Sequence, residues 1–465
     1  MTIGLFRQRG LAMIATLPLA ISAASANTFG ETPNHTHIEQ AQIDEGAISL
    51  ADIIAHGRNL FAVDFNALDG HGDPSRPGVN AVGEATGFNR ISGPDTVACV
   101  ACHSKPFVGG GGDNGVSIFP GFNRPDNIDS PSFEGLNVKN SQSVFGAGAK
   151  QRLAEEMTAE LQATAERARE QALAGGEPVT LDLTAKGIGF GAITGLPDGT
   201  LDTSAVEGVS LDLQIRPFNS VGAMLNLREF VIGAMEQHFG IEAEEAFGFD
   251  GDSDGIEREL TEGDVTATSL FQAALPIPTQ VLPRNPQQRQ AAKNGQTVFA
   301  DIGCTTCHTP AMTIDDPVFR EHAPSASVPT TLDLTKDGFA PRLKRMPNGG
   351  ARIELFSDLK RHDMGPALAE PLLQVDRAST QHFLTLPLWG VASTGPWLHD
   401  GRATTLTDAI LLHGGEAQDA RDQFEQLPEE HQAEVIEFLK TLQIAIKDPR
   451  FILPNLPVSV SGLVE

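Results

Sequence analysis

Cysteine placement constrains this chain more than any other feature. All four cysteines fall in two pentapeptides of one pattern, Cys99-Val100-Ala101-Cys102-His103 and Cys304-Thr305-Thr306-Cys307-His308. C-x-x-C-H is the attachment signature of a c-type haem: two thiols add across the vinyl groups of one porphyrin, and the adjacent His ligates the iron. The competing readings are two disulfides or a zinc site. A C-x-x-C disulfide closes a cramped loop, and Cys-Cys-His groups this far apart lack the usual zinc-ligand spacing. The expectation is two covalently bound haem c groups, held by Cys99, Cys102, Cys304 and Cys307, with His103 and His308 on the irons.

The opening residues agree with that chemistry. Arg7 and Arg9 precede an apolar run from Leu11 to Ala23 and then Ala24-Ser25-Ala26. A basic region, an apolar stretch too short to span a bilayer and an A-x-A-like site predict a signal peptide over residues 1–26, cleaved after Ala26, and a periplasmic protein. In bacteria haem attachment also takes place outside the cytoplasm. No later run is long enough to cross a membrane, so stable membrane insertion is not expected. The balance of 33 basic against 60 acidic residues gives a formal charge of −27. Such a surface excludes nucleic acid as a partner. It would steer a basic soluble electron donor, a small cytochrome or cupredoxin, although acidity that keeps an exported protein soluble explains it equally well. A homodimer is a further expectation.

Along the chain, residues 27 to 50 form a polar lead-in in which His35 and His37 are either metal ligands or part of a solvated arm. A helix is predicted from near Leu50. The glycine run Gly109 to Gly112 is either a close backbone approach to a flat ligand or a mobile loop. A long amphipathic helix is predicted from Lys150 to about Ala174, stopping at Gly175-Gly176. Val179 to Ile193 and Val209 to Ile215 alternate like strands around a Pro197-Asp198-Gly199 turn, and a helix follows from about Leu225 to Phe239. Asp250, Asp252 and Asp254 alternate before Gly255 as in the start of a calcium loop, but Thr261 stands where the loop's last Glu belongs, with Glu259 and Glu262 close by. An acidic turn is the alternative. The expected layout is a leader (1–26), an N-terminal haem domain (27–175), a β insert with a helical segment and the acidic loop (176–275), a Pro-rich linker (276–289), a C-terminal haem domain (290–450) and a tail (451–465).

The order helix, C-x-x-C-H, mixed segment, helix, C-x-x-C-H and Thr394-Gly395-Pro396-Trp397-Leu398-His399-Asp400-Gly401 resembles the bacterial di-haem cytochrome c peroxidase superfamily, which includes the MauG-type enzymes. Asp212 to Phe218, His362-Asp363-Met364-Gly365, His399-Asp400-Gly401-Arg402 and His413-Gly414-Gly415-Glu416-Ala417 are similar to segments of its di-haem oxidoreductase (thiol-oxidoreductase-like) branch. The resemblance implies a mainly α fold, two cytochrome c-like haem domains with a small β insert between them. The peroxidases carry a Met fourteen residues after the H-D-G histidine as sixth ligand of the C-terminal haem. Here that position is His413, a nitrogen donor that would lower the potential. Met364 is the runner-up, and a helix-face histidine is the alternative role for His413. The MauG-type enzymes use Tyr there, and this chain has none.

At the N-terminal haem the peroxidases place a detachable His after the first motif, whereas residues 113–120 contain none. That iron is therefore open, or takes a ligand from His238, His71, His362 or Met364. The resemblance also implies a calcium ion between the haem domains, held by the carbonyls of Thr394 and Pro396 and by Asn140. Trp397 and His399 are expected around the C-terminal haem without ligating it, and Trp389 either packs near haem or lies in the electron path. Peroxide cleavage needs a proton-carrying group, for which Glu155 and Glu156 are the nearest carboxylates, with a solvated helix face as the alternative. The implied activity is peroxidase-like, electrons entering at the C-terminal haem and the oxidant reacting at the N-terminal one. The rivals are a non-catalytic di-haem electron carrier and a redox-sensing binding protein.

Overall fold

The computed structural model of the chain describes residues 31–72, 96–112, 117–120, 136–369 and 380–451. The predicted leader, the loop at 113–116 and nearly all of the tail lie outside the described residues. Pro33 to Glu465 cluster as one unit.

Helices dominate. In chain order they are α1 (Gln40–Asp44), α2 (Leu50–Ala62), α3 (Cys99–Cys102), α4 (Ala147–Gly175), α5 (Leu227–Phe239), α6 (Glu244–Phe247), α7 (Glu262–Ala273), α8 (Pro286–Asp301), α9 (Leu406–Leu411), α10 (Gln418–Gln426) and α11 (Glu429–Leu439). Local chemistry sets their ends. Ser49 accepts from the Asp52 amide to start α2, Asn226 from Glu229 to start α5, and Thr261 from Asp264 to start α7. The long helix α4 stops where Gly176 turns left-handed at φ 70°.

Strands are short. They are β1 (Ser117–Pro120), β2 (Leu136–Lys139), β3 (Val179–Ala185), β4 (Ile188–Gly195), β5 (Leu201–Asp202), β6 (Thr279–Gln280), β7 (Met312–Ile314), β8 (Val318–Glu321), β9 (Thr330–Asp333), β10 (Ala351–Ile353), β11 (Arg361–Asp363), β12 (His382–Leu384) and β13 (Leu442–Gln443). β3-β4-β5 form an antiparallel three-stranded sheet against α4, and the remaining strands pair in twos. The expected strand over Val209 to Ile215 is absent. Asp212 takes the Gln214 amide on its own carboxylate and pairs with Arg216 at 2.6 Å, so a side chain occupies the backbone donor that a ladder would need. Leu213 sits at φ 59°, which also breaks an extended run.

Two helix pairs repeat one packing plan. On α2, a Cβ at Gly57 would collide with the carbonyl of Ala267 on α7; on α8, a Cβ at Gly295 would collide with the carbonyl of Glu434 on α11. Glycine is thus required at both crossings for the backbones to touch. Four residues on, Phe61 packs on Phe271 at 5.4 Å, and Phe299 packs on Phe438 at 5.3 Å. The helix that completes the first pair, α7, comes from the segment expected to be an insert, so helix pairing does not respect a boundary at residue 175.

The C-terminal end returns to the first half. β13 pairs with β6 inside the expected linker, the Val108 amide donates to the Phe451 carbonyl, and Arg58 donates to the carbonyl of Arg450. Phe451 packs between Phe145 and Phe339.

Candidate functional site

Each C-x-x-C-H pentapeptide closes into one turn. The His103 amide donates to Cys99 O at 2.8 Å, and the His308 amide to Cys304 O at 3.0 Å. None of the four cysteines forms a disulfide. Burial pushes Cys99 and Cys304 up to about 12, so both hold their protons at neutral pH. The repeated helix pairs present the same neighbour to each motif: the Phe61 ring lies 6.1 Å from His103 and the Phe299 ring 6.2 Å from His308.

The histidines are dressed alike. His103 donates from Nδ1 to Gly110 O at 3.3 Å, His308 to Phe356 O at 3.1 Å, and His413 to Ala409 O at 2.7 Å. A carbonyl can only accept, so each ring carries its proton on Nδ1 and keeps the Nε2 lone pair for a metal. That is the outer bond metal-ligating histidines ordinarily make. Burial lowers all three, His103 and His308 to about 4, which leaves the rings neutral as ligation requires. A positive charge on His413 would further depress His308, and one on His238 would do the same to His103. Each motif therefore has a second histidine within electrostatic reach, and the residues present fit two haems with histidine ligands.

A seam of backbone contacts joins the two motifs. Asn140 donates from Nδ2 to Pro396 O at 2.6 Å and to Leu398 O at 3.3 Å, while its amide donates to His399 O at 2.7 Å. Its Oδ1 is buried without a protein partner. The glycine run after the first motif is drawn into the seam: a Cβ at Gly111 would press on Thr394, and one at Gly112 on Cys102 O and Ser141. Close approach, rather than mobility, thus accounts for those two glycines. At the seam's other end Gly146 leaves room for the ring of Trp389, which is only 8 % exposed. Trp397 donates its indole N–H to Val391 O at 2.9 Å and packs in the apolar cluster around Cys304.

Around the C-terminal motif three of the sequence segments converge. His362 on β11 donates from Nδ1 to Glu416 at 2.7 Å and from Nε2 to Asp358 at 2.8 Å. Burial opposes its charge, but Asp358 and Cys307 outweigh that and raise it to about 11. Both ring nitrogens are donors, so His362 has no lone pair for a metal even though Cys307, Asp358 and His362 gather closely. Glu416 also accepts from the Asp363 amide at 3.0 Å, and Gly415, at φ 54°, lets its backbone rest on Asp363 O. The ring of His399 stacks on Phe383 at 4.6 Å. His362 thus belongs to the second motif's surroundings and its influence reaches His308, not the N-terminal site. Met364 packs with Val221, Leu368 and Phe383. His71 spends Nε2 on Thr96 O at 3.0 Å. Of the four N-terminal candidates, His238 is the one whose charge registers on His103.

Glu155 accepts from Gln151 at 2.8 Å and pairs with Arg152. Glu156 takes the amides of Asp315 and Asp316 and the Lys186 ammonium, tying α4 to the turn between β7 and β8. Neither is brought to His103 by these contacts. Asp250, Asp252 and Asp254 do gather their carboxylates, and Glu259 rises to about 9 through burial, with Asp252, Asp254 and Glu242 adding to it. Glu262 instead accepts from the Ser325 amide at 2.7 Å, away from that loop. Sequence reasoning missed the Gly57/Phe61 and Gly295/Phe299 repeat, which was there to be read as G-x-x-x-F ahead of each motif.

Paired helices, paired motifs and neutral histidines define a protein built to hold two redox groups in one body. A family profile described as "Di-haem oxidoreductase, putative peroxidase" matches residues 261–442. The match covers about two fifths of the chain, and over that span the chain is similar to the di-haem oxidoreductases. The matched span holds Cys304 to His308, His362, His399 and His413; the first motif precedes it. Among solved structures the chain is similar to a MauG-like protein associated with microbial copper homeostasis (16% identity, TM-score 0.28, covering 68% of this chain and 93% of that one). It is also similar to the diheme peroxidase BthA from Burkholderia thailandensis E264 (14% identity, TM-score 0.28, covering 53% of this chain and 69% of that one). No curated protein matches. No helix among the described residues is long and apolar enough to cross a membrane.

Proposed function

We propose that this chain is an exported, periplasmic c-type di-haem oxidoreductase that reduces peroxide at its N-terminal site with electrons delivered to its C-terminal site by a small soluble donor, a cytochrome or cupredoxin. Haem c, when bound, supplies a metal centre that exchanges single electrons and reacts with peroxide. Cys99, Cys102, Cys304 and Cys307 would hold it covalently, and His103 and His308 would ligate it. The observation that carries the reading is the shared dressing of His103, His308 and His413, each with Nδ1–H on a carbonyl and Nε2 left over. His413 is assigned as the partner of His308, closing the C-terminal site for electron entry. Met364, packed in its own apolar cluster, is not needed there.

At the N-terminal site His238, whose charge reaches His103, would carry the proton that peroxide reduction requires, whereas Glu155 and Glu156 are held by Arg152, Lys186 and the amides of Asp315 and Asp316. Asn140, Pro396 and Thr394 are assigned to a calcium ion at the seam: turning the Asn140 amide over aims Oδ1, which lacks a protein partner, at the place where Nδ2 now meets the Pro396 carbonyl. The loop of Asp250, Asp252 and Asp254 is a second candidate for the same ion. One observation favours a second reading: a charge on His238 would depress His103, so the two rings lie within electrostatic reach. If His238 ligates the N-terminal iron outright, both sites are closed and the protein is an electron carrier.

EPR of the oxidised protein with a His238→Ala variant decides between them. Peroxidase function predicts one high-spin ferric signal already present in the wild type, with turnover of peroxide that falls in His238→Ala. The carrier reading predicts two low-spin signals, one of which becomes high-spin in the variant. Mass spectrometry that finds the bare polypeptide mass would overturn both.

A further inference from the structure

The lead-in Asn34 to Ile38 is built over the first helix pair by three histidine–carboxylate contacts. His35 donates from Nδ1 to Asp69 Oδ1 at 2.7 Å, and the amides of Asn34 and His35 end on the same oxygen. His37 donates from Nδ1 to Asp264 Oδ2 at 2.6 Å, and His56 of α2 donates from Nε2 to Asp264 Oδ1 at 2.7 Å. The Ile38 and Thr261 amides complete the shell of Asp264, which is fully buried at the start of α7. The arm is therefore not a solvated tail.

Hydrogen bonding accounts for His37, His56 and Asp264. It does not account for His35. That side chain is 5 % exposed, and its Nε2 is buried with no protein partner. Nδ1 already donates to Asp69, so in the neutral ring Nε2 carries a bare lone pair. The ring stands edge-on to His37 at 4.7 Å. One ligand atom each from His35, His37 and Asp264 lies within 4.8 Å of the others. Alternate residues of an extended segment point to one side, which is how His-x-His offers two imidazoles to one point.

We propose that His35, His37 and Asp264 bind one zinc-class divalent ion, separate from either haem site. Two imidazoles and a carboxylate suit a borderline metal better than calcium or magnesium. Asp69 plays the part of the carboxylate that orients a metal-bound histidine through its far nitrogen. The ion takes the place of the proton that now bridges His37 and Asp264, and a neutral His37 keeps that proton by shifting it to Nε2. Because Asp264 also holds His56, the bound ion clips the arm to α2 and α7, the helix pair that carries Phe61 toward His103.

The test uses the haem-loaded protein stripped with EDTA and dialysed against Zn2+, with zinc and iron measured by elemental mass spectrometry. One EDTA-removable zinc per two irons is expected. His35→Gln and His37→Gln should each bind at least tenfold more weakly with unchanged iron content and Soret spectrum. His431→Gln, at an exposed histidine on α11 that pairs with Glu434, should bind normally. Should His35→Gln fail to fold, His37→Gln, at a half-exposed side chain, still decides. No EDTA-removable zinc, or zinc retained by the variants that fold, would overturn the proposal.

Discussion

Asn140 offers the sharpest test of the seam between the two motifs, because its side chain can be changed in two directions with opposite consequences. Its amide donates to the carbonyls of Pro396 and Leu398. Asn140→Ala removes both donors and leaves two half-buried carbonyls unserved, a cost of about 2–4 kcal/mol. At roughly 2.1 cal/mol/K of unfolding entropy per residue over a 465-residue chain, each kcal/mol moves Tm by only about 1 °C. The alanine variant should therefore melt about 2–4 °C lower, with or without calcium. Asn140→Asp instead aims a carboxylate at those same carbonyls. Without a cation it is repelled and should melt lower than the alanine variant. With calcium it becomes a better ligand than the amide, and at about a hundred times the dissociation constant the ion returns about 2.7 kcal/mol. Calorimetry of the three proteins in EDTA and in calcium is the assay. If calcium lifts Asn140→Asp no more than it lifts Asn140→Ala, and chelation leaves the wild type unmoved, a cation at this seam is refuted.

Other outcomes follow from single residues. His413→Ala should open the C-terminal site, converting a low-spin signal to high-spin while two haems per chain are retained; His413→Met should keep it low-spin and raise its potential, read by spectroelectrochemical titration. Gly415→Ala forces a side chain onto Asp363 O at a positive φ, and should cost about 1–3 kcal/mol, seen as a drop in denaturation midpoint. Lys150 is buried beside Phe218, and burial lowers it to about 8. A base lowered on folding costs stability below its folded value, and that cost is relieved as pH rises from about 8 toward the unfolded 10.5. Lys150→Met should accordingly be more stable than wild type at pH 7, by up to about 3 kcal/mol, with the difference closing by pH 10.5 in melts across that range.

How much of this could be read from the chain depends on the range of the interactions involved. Helix ends were legible because their causes are local: Ser49 and Gly176 act on the turn next to them. The two motifs were legible for the same reason, each being a single turn. The strand expected over Val209 to Ile215 failed on an equally local cause, the Asp212 side chain capturing backbone donors, which alternation of apolar residues does not register. Contacts across hundreds of residues were hidden. Nothing near Gly57 announces that it must meet Ala267, and nothing near His37 announces Asp264. His362 shows the same limit: a histidine in a family-like segment invites a ligand role, and only the placement of Asp358 and Glu416 reveals that both its nitrogens are spent. Glu156 reads as a free helix-face carboxylate until the turn at Asp315 and Asp316 is folded against it.

The repeated helix pair and the seam answer different requirements, and that difference explains why the chain doubles back. A helix pair crossing at glycine, with phenylalanines four residues on, needs only its own residues to place a histidine, and so the plan can occur twice. Electron exchange between two such sites needs them fixed relative to each other, which neither pair supplies. Here that task falls on backbone: Asn140 against Pro396 and Leu398, Gly111 against Thr394, Gly146 beneath Trp389, and Phe451 returning to Phe145. Carbonyl and glycine contacts tolerate little displacement, because a shift of an ångström breaks a hydrogen bond or creates a clash. Side-chain packing alone would leave the spacing softer. The seam is therefore where a small substitution should disturb transfer between the sites while leaving each site's own spectrum intact.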